Sequence, residues 1–234
     1  MKKNVSVAAP RAAGLHWLTA LFVMVVSGCG GGGGDSSPPA AGPAPAPAPA
    51  PSPAPSPPPL PTIAPAVNLD DNHQVGNLFW ADGDSSTGGQ GSPVNGIPCG
   101  TSVETFHIHS HLSIFVNGDA KAFPAEVGIP QLTPTTDCHY YVHTHDHSGK
   151  IHMEAPAARD FKLGDLFAIW GQPLTSTNVA GVTNLPTYVY LYDGSTITQF
   201  TGDPATISMT SHLHIAIVLG TPVTQVPYFT WTAQ

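Results

Sequence analysis

Residues 138–154 read Cys-His-Tyr-Tyr-Val-His-Thr-His-Asp-His-Ser-Gly-Lys-Ile-His-Met-Glu and hold five of the chain's twelve histidines. His139, Tyr141, His143 and His145 share one parity, and in an extended chain residues two apart leave the same face. The alternation predicts a strand with a histidine face. Asp146, His147, Ser148 and Gly149 predict a turn, because Asp and Ser bond their own backbone and Gly supplies a positive φ. Residues 151–154 then return with His152 and Glu154 on one face, so the whole stretch reads as a hairpin.

A pair of imidazoles two apart on a strand has about the separation needed to give one transition-metal ion two of its ligands. The pattern recurs in His107-Ile108-His109-Ser110-His111 and again in His212-Leu213-His214. A lone strand histidine is usually structural, and a metal site needs three or four converging donors. Three pairs on separate strands are therefore the signal. His107, His109, His143, His145, His212 and His214 form the first set of candidate ligands. His111, His139, His152 and Glu154 form a second set.

Two carboxylates are candidates for catalytic work. Glu154 is a ligand or a general base, and Asp146 is either a turn former or the group that fixes the tautomer of a ligating histidine. His147 is expected in solvent, His73 in an irregular segment and His16 outside the folded part. Tyr140 and Tyr141 read as packing residues.

The rest of the folded part is rich in strand signals. Residues 106–116 alternate, with Phe106, Ile108, Leu112, Ile114 and Val116 opposite His107, His109, His111 and Phe115. Asn117-Gly118 is the preferred type I′ pair and predicts a partner strand over 119–123. Residues 187–192 and 196–200 form a further expected hairpin about Asp193-Gly194, and 212–219 reads as a central strand. One short helix is expected over 166–170, capped by Asp165 and ended by Gly171 and Pro173. Residues 69–97 read as irregular surface chain, with Leu78, Phe79 and Trp80 tucked against the core. The expected class is all-β, a sandwich or barrel of antiparallel hairpins with at most one short helix.

Ahead of this domain the composition changes. Lys2, Lys3 and Arg11 precede an apolar run over 14–26, the pattern of an export signal over residues 1–28. Residues 29–66 are a glycine run followed by Ala-Pro and Ser-Pro alternation, with fourteen prolines between Pro38 and Pro65. Proline lacks the donor that helix or sheet needs and favours polyproline II, so this segment reads as a semi-rigid stalk reaching roughly 85 Å. Residues 67–234 are then one β-rich domain.

Removal of the signal takes three of seven basic residues and none of fifteen acidic ones, leaving 4 − 15 = −11 with histidine neutral. That balance argues against nucleic acid, whose phosphates need a basic surface. Cys99 and Cys138 are an even pair in an oxidising compartment, for which a disulfide is the default. The competing reading makes Cys138 a thiolate ligand beside His139.

Several stretches resemble known families. Val26-Ser27-Gly28-Cys29 resembles the lipobox of bacterial lipoproteins, which implies that Cys29 is lipidated and heads the mature chain. An ordinary secretory signal cut nearby is the alternative. Gly30, rather than Asp, after the cysteine is what lipoproteins sorted to an outer membrane usually show. Thr105-Phe106-His107-Ile108-His109 resembles the strand that carries two copper ligands in copper/zinc superoxide dismutases. His143-Thr144-His145 with a later Glu is similar to the cupin metal motif, although Glu154 lies beyond the usual spacing. Repeated His-x-His pairs also occur in multicopper oxidases, whose cysteine-centred motif is missing here. Over about fifty residues the two histidine stretches together look like a set of bacterial exported domains, a resemblance that implies no mechanism.

These readings converge on an exported, lipid-anchored protein of the bacterial envelope, with the membrane as partner through its lipid and a metal ion as cofactor. Histidine ligands with few Met and no free paired Cys suit copper or zinc, with iron open if Glu154 joins two histidines. A metalloenzyme with an open coordination position is the alternative function, and an adhesion or scaffold module without metal is the second.

Overall fold

The computed structural model describes residues 58–70, 72–83, 88–101, 105–134 and 136–231. The expected export signal, the expected lipobox with Cys29 and the expected stalk up to Pro57 lie outside the described residues. From Ala54 to Gln234 the chain is one compact unit. The elements that position the histidines are Thr62–Asn68 (β1), Phe106–Val116 (β2), Asp119–Lys121 (β3), Val142–His143 (β4), Lys150–Ala155 (β5), the helix Leu163–Trp170 (α1), Thr187–Tyr192 (β6), Ile197–Phe200 (β7), His214–Leu219 (β8) and Gln225–Thr230 (β9).

Seven of these strands form one sheet in the order β7-β6-β8-β2-β5-β4, with β3 paired to the far end of β2. The class is all-β, as expected, but the sheet is mixed and no sheet among the described residues closes into a barrel. β8 runs parallel to β2, from His214 beside His111 to Leu219 beside Val116. The other neighbours are antiparallel. A parallel neighbour needs a long crossover, and the chain between β2 and β8 supplies it. Turn residues signal local hairpins only, which is why the parallel pair was not expected.

Side-chain alternation gives the sheet two different faces. On one, Leu112, Ile114, Ile151, Met153, Ile215 and Ile217 pack with Leu163, Leu166, Phe167 and Trp170 of α1. On the other, Phe115, Tyr190, Tyr192, Ala216 and Val218 pack against Val226 of β9. β9 pairs in parallel with β1 as a two-stranded ribbon. β8 is buried on both faces, as a central strand must be.

β1 begins at Thr62, inside the segment that the proline pattern assigned to the stalk. The strand accommodates Pro65 because it is an edge and its register shifts between Ile63 and Ala66, so no ladder donor is required there. The helix starts at Leu163, three residues before the expected position. Asp165 is not its cap: it sits at the third helical position and its carboxylate accepts from the Lys162 amide at 2.9 Å, half of a capping box. Gly171 ends the helix in the left-handed region (φ 74°), as expected.

The turns follow their residues to different degrees. Asn117 and Gly118 both take positive φ (52° and 89°), the requirement of the type I′ hairpin. β3 stops at Lys121, two residues short of the expected partner strand. At Asp193-Gly194 only the glycine has positive φ. Asp193 Oδ1 accepts from the amides of Ser195 and Thr196, making a wider loop, and β7 begins at Ile197. Trp80 packs edge-on to Trp170 and donates to the Ala180 carbonyl, whereas Leu78 and Phe79 stay 61% and 51% exposed, contrary to expectation.

Cys99 and Cys138 are joined in a disulfide, so Cys138 is not a thiolate ligand. The bond fastens Cys99–Gly100 to the antiparallel segment His139–Tyr140. Among the described residues no helix is long and apolar enough to cross a membrane.

Candidate metal centre

The histidine face of β2 is the face on which Phe115 packs, and its counterpart on β5 carries Lys150, His152 and Glu154. Register decides which of these meet. His109 lies opposite His152, His152 lies opposite His143 of β4, and His107 lies opposite Glu154. Directly paired residues on neighbouring strands hold their side chains about 4.5–5.5 Å apart at Cβ, close enough for rings to touch. A row of three imidazoles, His109, His152 and His143, therefore crosses three adjacent strands.

Ring nitrogens and one carboxylate converge on this row. His109 Nε2 lies 3.0 Å from His107 Nε2 and 3.0 Å from His152 Nδ1. Glu154 Oε1 is 3.2 Å from His152 Nδ1 and 3.2 Å from His107 Nε2, closing a circuit of four donors. His143 Nε2 stands 3.7 Å from the same carboxylate oxygen and 3.2 Å from His145 Nε2. Two groups of donor atoms result, His107–His109–His152 and His143–His145–His152–Glu154, each gathered within 4.8 Å. For metal–nitrogen bonds of 2.0–2.1 Å, the edge of a tetrahedron is about 3.3 Å. The contacts are close to that edge, so the residues fit an ion.

His143 shows how the fold prepares a ligand. Its side chain is 0% exposed, and its Nδ1 donates to the Tyr140 carbonyl at 2.8 Å. That bond fixes the tautomer and leaves the Nε2 lone pair directed at Glu154 and His145. Behind it, residues 124–128 brace β4. The Tyr140 amide donates to the Gly128 carbonyl, the Thr144 amide to Val127, and the Thr144 hydroxyl to Pro124. Gly128 has φ 84°, and a Cβ there would stand 2.6 Å from the Val142 carbonyl oxygen and 3.0 Å from the His143 Cβ. Sequence reading took this segment for a plain connection.

Burial keeps His109, His143 and His145 neutral. His109 is pushed down to about 3 by burial and then by the neighbouring His152, His107 and Lys150. His143 is likewise pushed down to about 3 by burial, partly opposed by Glu154. His145 is lowered for the same first reason and opposed by the same carboxylate. Neutral imidazole is the form that binds metal. The site is not sealed, because the His107 side chain is 18% exposed and His145 is open to solvent.

Two first-set candidates lie elsewhere. His214 is buried on β8, where its Nδ1 lies 3.1 Å from the His212 carbonyl and its Nε2 lies 3.0 Å from the Phe229 carbonyl and 3.2 Å from the Phe229 amide. Both ring nitrogens therefore lie against backbone groups, which ties β8 to β9 and turns them away from an ion. His212 precedes the strand with φ 62° and stacks on Trp231 at 5.1 Å. His111 donates from Nε2 to the Ser148 carbonyl at 2.8 Å, with the Ser113 hydroxyl beside Nδ1. Of the second set, His152 and Glu154 are central, and the His139 ring flanks His143 at 5.2 Å.

Asp146 spends both oxygens on backbone, accepting from Asn72 and Ser148 amides at 2.8 and 2.9 Å. It is a turn former that also ties down the segment before β2. His147 pairs with Asp82 at the surface, and His73 is exposed. His16 lies outside the described residues.

No family model, curated protein or solved structure matches this chain. The geometry stands alone.

Sequence reasoning gave no role to Lys150 and Trp231. Lys150 is buried on the site face and lowers the proton affinity of His109 and His145 through its charge. Its shared parity with His152 and Glu154 was the available signal. Trp231 lies edge-on to His109 at 6.3 Å and belongs to the chain end, far from any histidine pair in sequence.

Proposed function

We propose that the protein is a cell-envelope lipoprotein that binds copper or zinc as a buffer, scavenger or delivery module. The observation that carries this reading is the meeting of imidazole nitrogens from β2, β5 and the β4 segment, 3.0–3.2 Å from one another and 3.2–3.7 Å from one carboxylate oxygen. A scaffold whose histidines served packing alone would hold each ring nitrogen on a backbone partner, as His214 does.

Donor chemistry supports the choice of metal. The donors are nitrogen and carboxylate oxygen, both chain sulfurs near the site are spent in the disulfide, and Met153 is buried with the α1 side of the core. Borderline Zn(II) and Cu(II) suit such a set, whereas Cu(I) prefers soft sulfur. The excess of nitrogen over carboxylate places iron behind both. The envelope location rests on Val26-Ser27-Gly28-Cys29 after the apolar run and on the proline-rich stalk, and the net negative charge expected of the mature chain would favour the approach of cations.

The metalloenzyme reading draws on one observation, the exposure of His145, which leaves one side of the cluster open to a small molecule. Glu154 is itself among the donors and Asp146 is held by amides, so neither is free to carry protons in that reading. The test is uptake of Zn(II) by the metal-free full chain in competition with a chromophoric chelator. We expect saturable uptake, abolished in the combined His107→Ala, His109→Ala, His143→Ala, His145→Ala variant. Uptake no greater than that of the variant would overturn the proposal.

A further inference from the structure

We infer that the cluster is built for two ions that share the Glu154 carboxylate. This rests on the metal-binding reading and adds to it a stoichiometry and a coupling between the ions. Six side chains present donors, more than the four of a closed tetrahedral site. They divide by strand. His107 and His109 face His152 Nδ1 across the β2–β5 pair, and His143 faces His145 at the β4 edge.

Glu154 Oε1 stands between the two histidine pairs, 3.2 Å from His107 Nε2 and 3.7 Å from His143 Nε2. That is the place of a bridging ligand. Two-ion centres hold their metals about 3.5–4 Å apart, with an oxygen ligand common to both. His152 belongs to both donor groups, and its Nδ1 lies nearest the β2 pair. One ion then has His107, His109 and His152, with Glu154 Oε1 reaching its edge 3.2 Å from His107 Nε2 and from His152 Nδ1. The other has His143, His145 and Glu154, with its remaining positions on the side where His145 is exposed.

The two halves are held by different means. The β2 and β5 donors are fixed by sheet register, which is continuous from Phe106 to His111. His143 is fixed by its bond to the Tyr140 carbonyl, and His145 follows the strand end without a ladder of its own. The inner ion is therefore the tighter one, and the outer ion is the exchangeable one that meets solvent.

The test is titration of the metal-free full chain with Cu(II), read by elemental analysis and by electron paramagnetic resonance. We expect two ions per chain. Their spectrum loses the hyperfine pattern of isolated Cu(II) and gains a half-field transition. The Glu154→Gln variant should still take up copper but show isolated ions. Removal of His143 and His145 should leave one ion per chain, and that ion should resist a chelator that strips the outer one from the native protein. The wild-type spectrum carries the test if a variant fails to fold. Saturation at one ion per chain overturns the two-ion centre and keeps the metal site. Two ions with uncoupled spectra overturn the shared carboxylate. No copper uptake at all overturns the metal-binding reading itself.

Discussion

The imidazole of His143 donates from Nδ1 to the carbonyl of Tyr140, three residues earlier, at 2.8 Å. The partner is backbone, so no substitution removes it, and the ring has no freedom to rotate in its fully buried place. His143→Ala should lower affinity for the outer ion by about 10–100-fold or more, the scale at which orientation of a metal ligand matters. Chelator competition measures it. Unchanged affinity in a folded variant would remove His143 from the ligand set.

Gly128 supports that geometry from behind. Gly128→Ala adds a methyl that meets the Val142 carbonyl and forces a left-handed residue to carry a Cβ. We expect a loss of about 1–3 kcal/mol in urea unfolding, together with weaker binding of the outer ion. A stability loss with unchanged outer-ion affinity would show that the brace does not reach His143.

His214 offers the opposite case, a histidine from the strongest-looking strand whose nitrogens are both satisfied by backbone. His214→Leu should leave metal uptake unchanged. It orphans the Phe229 amide, which costs about 1–3 kcal/mol and is read by denaturant unfolding.

Acid should unfold the protein through the same kind of residue. His111 and His214 are held down to about 3 and about 4, first by burial, while in the unfolded chain they titrate near 6.5. Between those values the unfolded chain binds more protons, so stability rises with pH there. It should be flat above about pH 7 and fall as the pH drops through 6.5, by up to about 1.4 kcal/mol per pH unit for each group. His214→Leu should flatten the slope. An unfolding free energy independent of pH from 7 to 5 would contradict the neutral tautomers.

The disulfide closes a loop between residues 39 apart in sequence. By loop-closure entropy it stabilises the fold by about 4 kcal/mol. The Cys99→Ser, Cys138→Ser variant should lose that amount in urea unfolding, and its looser His139–Tyr140 segment should release the outer ion first. Equal stability with and without the bond would place the anchoring of that segment elsewhere.

What was legible in the sequence was local. The parity of His107, His109 and His111, the hairpin ending in Glu154, the Asn117-Gly118 turn and Gly171 after the helix all follow from neighbours in the chain. Pairing between distant strands leaves no such trace. The parallel β2–β8 and β1–β9 pairs were unforeseen, and they decide that His214 meets Phe229 rather than an ion. The same limit misranked His152. It stands in a His-x-Glu pattern rather than a histidine pair, yet cross-strand register with both His109 and His143 puts it at the middle of the row. Glu154 shares its parity and was legible as a donor, but its place between the two histidine pairs comes from the three-strand register alone.

The most direct measurement is the metal content of the full chain, purified from its native envelope without an affinity tag and analysed by elemental mass spectrometry. The account predicts at least one copper or zinc ion per chain, tending to two when the outer site is not stripped during purification. A protein that carries no transition metal, and takes none up when titrated, would contradict the account and leave the converging histidines to packing.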